Sequence, residues 1–297
     1  MDIAYLALLM FIALVAGGSH AGICVGIAVG MGSVRKRIAL MLYAISSLIG
    51  MIVLTQYMER AVMAPSLCTV STTASIVSLS IVTGLPLSLN LALYSSQIGC
   101  ECRFETLEIL IPMVCSWIAL IAASIILAWL FTKLVEVLLL RIRNVVKGLV
   151  LSEAITLILS VLLSVAIGGN TFGYLYQFAL AKHMGVVELT MIVLTLIISM
   201  ALLSEQSIKT VAFSFYGIKP RNAIACNAVC FIIVAVATFL GIPAPASLIL
   251  SSAIVGSGLA SSVRMIRVSD YIKYLAIQLA SIPLALVLGM AISFVMQ

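Results

Sequence analysis

Polar side chains beside glycine or proline interruptions of long apolar runs are where this chain could do chemistry. Ser19 and His20 follow Gly17-Gly18, Ser88 and Asn90 follow Gly84 and Pro86, Asn170 and Thr171 follow Gly168-Gly169, and Ser247 follows Gly241 and Pro243. Hydroxyl and amide groups donate hydrogen bonds without carrying charge, and a broken helix exposes backbone N–H groups at the positive end of its dipole. Such donors together suit a tetrahedral oxyanion. Taken singly, the same residues are ordinary interhelical hydrogen bonders. His20 alone among them exchanges a proton near neutral pH. Charged, it attracts an anion; neutral, it bonds to a carbonyl of the interrupted helix.

Other chemistries lack their residues. The sequence shows no nucleophile–base pair, Gly-rich nucleotide loop or metal-ligand spacing, so no catalytic residue, metal or cofactor is expected and an enzyme is the least supported class. Most of the seven cysteines (Cys24, Cys68, Cys100, Cys102, Cys115, Cys226, Cys230) lie in apolar runs, where Cys packs as a small hydrophobe. The pair Cys100 and Cys102 is assigned no chemistry. None of the ten acids lies near an interruption. A hard cation such as sodium prefers several oxygens including a carboxylate, so the residues favour the proton over sodium as coupling ion. His183, beside Lys182, reads as a solvated loop residue.

The elements that must position these groups are membrane helices. Hydrophobic residues make up 64% of the 297 and charged ones 9%, with mean hydropathy +1.30, against roughly 45–50% apolar and about 25% charged in a soluble domain. Runs of about 20 apolar residues, enough to cross the hydrocarbon layer, recur along the chain. They lack the alternation of a β-barrel strand. The first run precedes Arg35-Lys36-Arg37 rather than following a basic segment, so it reads as a retained helix and not a signal peptide. The net charge of +6 is not a nucleic-acid signal, since no soluble stretch is long enough to form a binding domain.

The breaks predict a helix to Val34, one from Ile38 to Tyr57, an interrupted pair from Leu67 to Gly99 and a helix from Leu107 to Phe131. The same grammar then repeats. A stretch from Leu149 to Ala181, broken near Gly168-Gly169, precedes a helix from Val187 to Leu203, an interrupted pair from Ala223 to Ala260 and a helix from Ile272 to Val295. The expected fold is an all-α polytopic membrane protein of two inverted-topology repeats, residues 1–143 and 144–297, with broken helices and mid-membrane hairpins. With both termini outside, thirteen Lys and Arg fall in cytoplasmic breaks and only Arg60, Arg103 and Lys182 in outer ones, accounting for all 16. That satisfies the positive-inside rule. Charge alone does not separate re-entrant hairpins from complete crossings.

At those breaks the chain resembles the inorganic phosphate transporter (PiT) family, which also includes sulfate permeases, over nearly its whole length. The family repeats a motif close to G-A-N-D-V-A-N-A-F-G-T-S-V-G; here GGSHAGICVGIAVG begins at Gly17 and GGNTFGYL at Gly168. It also repeats G-L-P-V-S-T-T-H at a hairpin tip, matched by GLPLSLNL from Gly84 and GIPAPASL from Gly241. SSAIVGSGLA from Ser251 is similar to the segment after that tip, and IKTVAFSFYGIKP from Ile208 to the second-half linker. The resemblance implies an anion and coupling ion held at the Asn and Asp positions of the first motif. Here those positions are Ser19 and His20, with Ile23 at the later Asn, and in the second copy Asn170, Thr171 and Tyr174. Both aspartates are replaced. An acid the family often carries in its second helix is also missing, at Ser46-Ser47.

The expected function is therefore secondary transport of inorganic phosphate or a related oxyanion by alternating access, coupled to protons through His20. The alternatives are a sulfate permease or a non-transporting PiT-like sensor or accessory protein. The expected location is the cell membrane and the expected partners are the bilayer and the anion, with homo-oligomerisation left open.

Overall fold

The computed structural model describes the chain except residues 1–2, 64, 84–86, 102–103, 143, 214–218, 262–267 and 297. The expected interruption at Gly84 and Pro86 therefore lies outside the described residues. Those described form twelve α-helices: α1 (Ile3–Gly30), α2 (Lys36–Leu54), α3 (Leu67–Thr83), α4 (Leu89–Glu101), α5 (Phe104–Leu140), α6 (Val145–Ile167), α7 (Gly173–Ala181), α8 (Val186–Leu202), α9 (Ser204–Phe213), α10 (Pro220–Phe239), α11 (Ala246–Ala260) and α12 (Val268–Met296). A 3₁₀ segment, Thr55–Ala61, extends α2, and a π-helical segment, Gly168–Phe172, joins α6 to α7. Six stretches are long and apolar enough to cross a membrane: Ile3–Gly30, Lys36–Ala61, Glu108–Leu140, Val145–Ala181, Pro220–Phe239 and Ser269–Met296. This is a multi-pass membrane protein.

Length and side-chain contacts decide how the interrupted pairs run. At 1.5 Å per residue, α3, α4 and α11 reach roughly 25, 20 and 22 Å, short of the ~30 Å hydrocarbon layer. Cys68 at the start of α3 and Cys100 at the end of α4 form a disulfide with Cα atoms 6.0 Å apart. Likewise Ser261 Oγ, just past α11, donates to Asn222 Oδ1 at the start of α10 over 2.9 Å. Each pair thus enters and leaves at one end, as a hairpin. The disulfide corrects the reading of Cys68 and Cys100 as packing groups without chemistry. Cys68 and Cys100 are 32 positions apart, and only the hairpin fold brings them together.

The tip of the α10–α11 hairpin follows from its residues. Gly241 takes φ +70°, its N–H bonds to Thr238 O at 2.9 Å and that of Ile242 to Ala237 O at 2.8 Å, the double closure that ends a helix on a left-handed glycine. Pro243 and Pro245, with no N–H, keep the backbone from resuming a helix until Ala246.

Two expected breaks are not unwound. Helix α1 runs unbroken through Gly17, Gly18, Ser19 and His20. A Cβ at Gly17 would lie 2.8 Å from Leu196 O and one at Gly18 2.6 Å from Leu203 Cβ, so these glycines admit α8 and its C-terminal end against α1. At Gly168-Gly169 the helix continues with one wide turn. A Cβ on Gly168 would overlap the Ser47 carbonyl of α2, and one on Gly169 would lie 2.5 Å from Leu54 Cβ. Close packing, with a π-turn in the second case, replaces the expected unwinding.

Helices α1 and α10 form the centre, with 67% and 72% of their most apolar stretch buried, whereas α5 and α12 bury 22% and 17% and face outward with Ile118, Leu130 and Val287. Contacts recur in exchanged pairs: α1 packs on α8 and α3 as α6 packs on α2 and α10, and α5 lies along α10 and α11 as α12 lies along α3 and α4. Helix α5 extends to Leu140 rather than Phe131, carrying Lys133 and Glu136 to the start of α10, where Glu136 pairs with Arg221.

Candidate functional site

Three of the expected site residues meet in the middle of the bundle. The π-turn presents Asn170 and Thr171 toward the α10–α11 tip, and the first turn of α4 brings Asn90 to the same point. Asn170 Nδ2 donates to Ile242 O at 2.9 Å and Thr238 Oγ1 at 3.1 Å, while its Oδ1 accepts from Ala244 N at 2.8 Å. Asn90 Nδ2 donates to Ala244 O at 2.5 Å, Thr171 Oγ1 at 3.1 Å and Asn170 Oδ1 at 3.3 Å. One hairpin, the other hairpin's tip and the π-turn are thereby joined through two amides. Asn90, Asn170 and Thr171 are all buried.

The remaining expected residues are placed apart from this cluster. Ser247 Oγ donates to Gln278 Oε1 of α12 at 2.7 Å. Ser88 is buried immediately before α4, its carbonyl accepting from Ala92 N at 2.9 Å. His20 Nδ1 lies 2.9 Å from Ala16 O and 3.2 Å from Ser19 Oγ. A carbonyl only accepts, so the proton sits on Nδ1. The ring meets Phe172 edge to face, centroids 5.8 Å apart, which sets an apolar side chain of the π-turn against the imidazole. His183, with φ 52°, is exposed as expected.

Several members were not singled out from the sequence. Thr238, three residues before Gly241, donates to Val234 O at 2.7 Å and so offers Asn170 an acceptor. Trp117 of α5, fully buried, donates from Nε1 to Pro243 O at 2.9 Å and holds the tip from behind. Gln97, two turns along α4 from Asn90, donates from Nε2 to Tyr174 Oη at 2.5 Å and Ala61 O at 3.1 Å, and accepts from Met63 N at 2.8 Å. A threonine, an amide or a Trp inside an apolar run is the sequence signal they offer.

Electrostatically the cluster is neutral: its side chains are two amides and two threonines, beside Met58 Sδ at 3.8 Å from Asn170 Nδ2. Among the described residues the ion pairs are Lys36 and Lys209 with Glu205, and Lys133 and Arg221 with Glu136. No group of three His, Cys, Asp or Glu among the described residues is placed to hold a metal. Hydrogen bonds and charge from Lys209 and Lys36 hold the Glu205 carboxyl down to about 2.

Two helical hairpins converge on a π-turn inside a helical bundle. A solved structure described as "The sodium-dependent phosphate transporter" shares this fold, with a TM-score of 0.84 over 99% of this chain and 98% of that one at 12% sequence identity. No protein-family model and no curated protein sequence matches the chain.

Proposed function

We propose that the chain is a secondary transporter of inorganic phosphate or a related oxyanion, working by alternating access of two oppositely inserted halves. The carrying observation is the Asn90–Asn170–Thr171 cluster, where both hairpins and the π-turn converge away from the ends of the bundle. The name of the solved structure with this fold supports phosphate as the substrate class. The exchanged pairs of helix contacts support two halves that rock against each other around the cluster.

For coupling, the proton is preferred to sodium, because the cluster offers amides, hydroxyls and carbonyls but no carboxylate. His20 is the candidate carrier, one ring contact from the π-turn. The proposed orientation puts both termini outside. It also sets the Cys68–Cys100 disulfide on the outer side, in the compartment where disulfides persist.

The test is uptake of labelled phosphate and sulfate into proteoliposomes under imposed proton or sodium gradients, for the unaltered chain and His20→Ala. Proton-driven phosphate uptake lost in His20→Ala is the expected result. Sodium-driven uptake, or uptake unchanged in the variant, removes the His20 coupling. Binding of phosphate without flux supports a sensor or accessory role instead, and uptake of sulfate but not phosphate supports a sulfate permease.

A further inference from the structure

Asn90 is 2% exposed, yet its carbonyl oxygen Oδ1 is buried with no hydrogen-bond partner. The orientation of the amide is not free. Its Nδ2 faces Ala244 O and Asn170 Oδ1, and Asn170 Oδ1 is fixed as an acceptor by Ala244 N at 2.8 Å. Neither oxygen has a proton to give, so turning the amide over would set oxygen against oxygen. Oδ1 is thus the atom left over, and a buried acceptor without a donor is costly enough to need a reason.

Asn90 stands in the first turn of α4, where the N–H groups of Leu89, Asn90 and Leu91 have no acceptor within the helix. Ala92 N is the first to bond back, to Ser88 O. The start of α4 therefore combines several donors with one enclosed acceptor. A ligand that satisfies both carries bare oxygens for the donors and an O–H for the acceptor. Phosphate and arsenate keep at least one O–H near neutral pH, whereas sulfate and selenate keep none.

We propose that Asn90 Oδ1 is a specificity-determining atom that accepts the O–H of a protonated oxyanion of the phosphate and arsenate class and disfavours fully ionised oxyanions through oxygen–oxygen repulsion. This rests on the transport reading above. A site built to bond a ligand O–H rejects the analogue that lacks it, here by about tenfold or more.

The test uses the full chain in proteoliposomes, with labelled phosphate uptake challenged by unlabelled arsenate, sulfate, selenate and monofluorophosphate. Monofluorophosphate replaces the O–H of hydrogen phosphate by fluorine at the same charge, and arsenate and selenate are both larger than phosphate. Charge and size are thereby separated from protonation. Arsenate is expected to compete about as well as phosphate, and the other three at least about tenfold less well. In Asn90→Ala the five anions should converge. Sulfate, selenate or monofluorophosphate competing as well as arsenate overturns the proposal while leaving oxyanion transport standing, and this readout needs no variant to fold. Discrimination unchanged in a folded Asn90→Ala overturns the assignment to Asn90. Neither uptake nor binding of any of the five overturns the transport reading and the proposal together.

Discussion

At the scale of single residues, Asn170 ties the tip of the second hairpin more tightly than any other side chain of the cluster. It supplies the partner of Ala244 N and a donor to Ile242 O. Asn170→Leu keeps the volume but leaves the Ala244 N–H buried and unpaired, at about 1–3 kcal/mol, and removes the donor to the half-buried Ile242 carbonyl. Thr238→Val removes one acceptor while Nδ2 keeps Ile242 O, so it should cost less, about 1 kcal/mol. Thermal unfolding in detergent should therefore rank the unaltered chain above Thr238→Val and that above Asn170→Leu. Equal midpoints for all three would mean the cluster does not hold the tip. Trp117→Phe removes the indole N–H that donates to Pro243 O while keeping an aromatic ring. Phosphate uptake should fall with little change in the fold, and full activity in Trp117→Phe would show that the tip needs no support from α5.

At the scale of elements, the first hairpin is clasped at its open end and α9 is clamped by charge. With the other five cysteines replaced by serine, Cys68 and Cys100 should react with a maleimide only after reduction. Immediate labelling without reductant would show that the bond does not form. Helix α9 packs along α1, where Ser207 Oγ donates to Ser19 O and accepts from Gly22 N at 2.9 Å, and Glu205 reaches Lys36 at 2.9 Å. The Glu205 carboxyl is held at about 2 against an ordinary 4.5, a depressed value. Its stabilisation is thus fully present above about 4.5 and is lost as pH falls toward 2. The pair is exposed, so high salt weakens it. The difference in unfolding midpoint between the unaltered chain and Glu205→Gln should stay constant from pH 7 to about 5 and shrink below. A difference that shrinks instead between pH 7 and 5 assigns it to another group.

At the scale of the whole molecule, orientation and function are linked. In the proposed orientation, which the thirteen-to-three division of cations supports, the open end of the α3–α4 hairpin lies outside and that of the α10–α11 hairpin inside. A membrane-impermeant maleimide added to intact cells should then label the reduced Cys68–Cys100 pair. Labelling only after the membrane is broken would reverse the orientation. Under the proposed alternating access, rocking that opens one hairpin's side closes the other's, and the Asn90–Asn170 contact joins the two.

How much was legible before the fold was known follows from the range of each interaction. The long apolar helices and the tip at Gly241–Pro243 come from local rules, since a run of about 20 apolar residues or a glycine near a proline acts within a few positions, whereas the short polar helix α9 has no such run. Asn90, Asn170, Thr171 and Ser247 were picked out by standing next to such punctuation, yet Ser247 turns to Gln278 while the other three converge. Gly17-Gly18 and Gly168-Gly169 read as breaks because the residue type that allows unwinding also allows close packing, and only the facing helix distinguishes them. The partners of Thr238, Trp117 and Gln97 and the pairing of Cys68 with Cys100 are not legible in the sequence because each lies far along the chain. For the interrupted runs, glycine and proline mark where the backbone is free to break; the packing of the helices settles which of those places bend back as hairpins and which polar atom of the first turn of α4 is left without a partner, because backbone preference is local and hydrogen-bond pairing across helices is not.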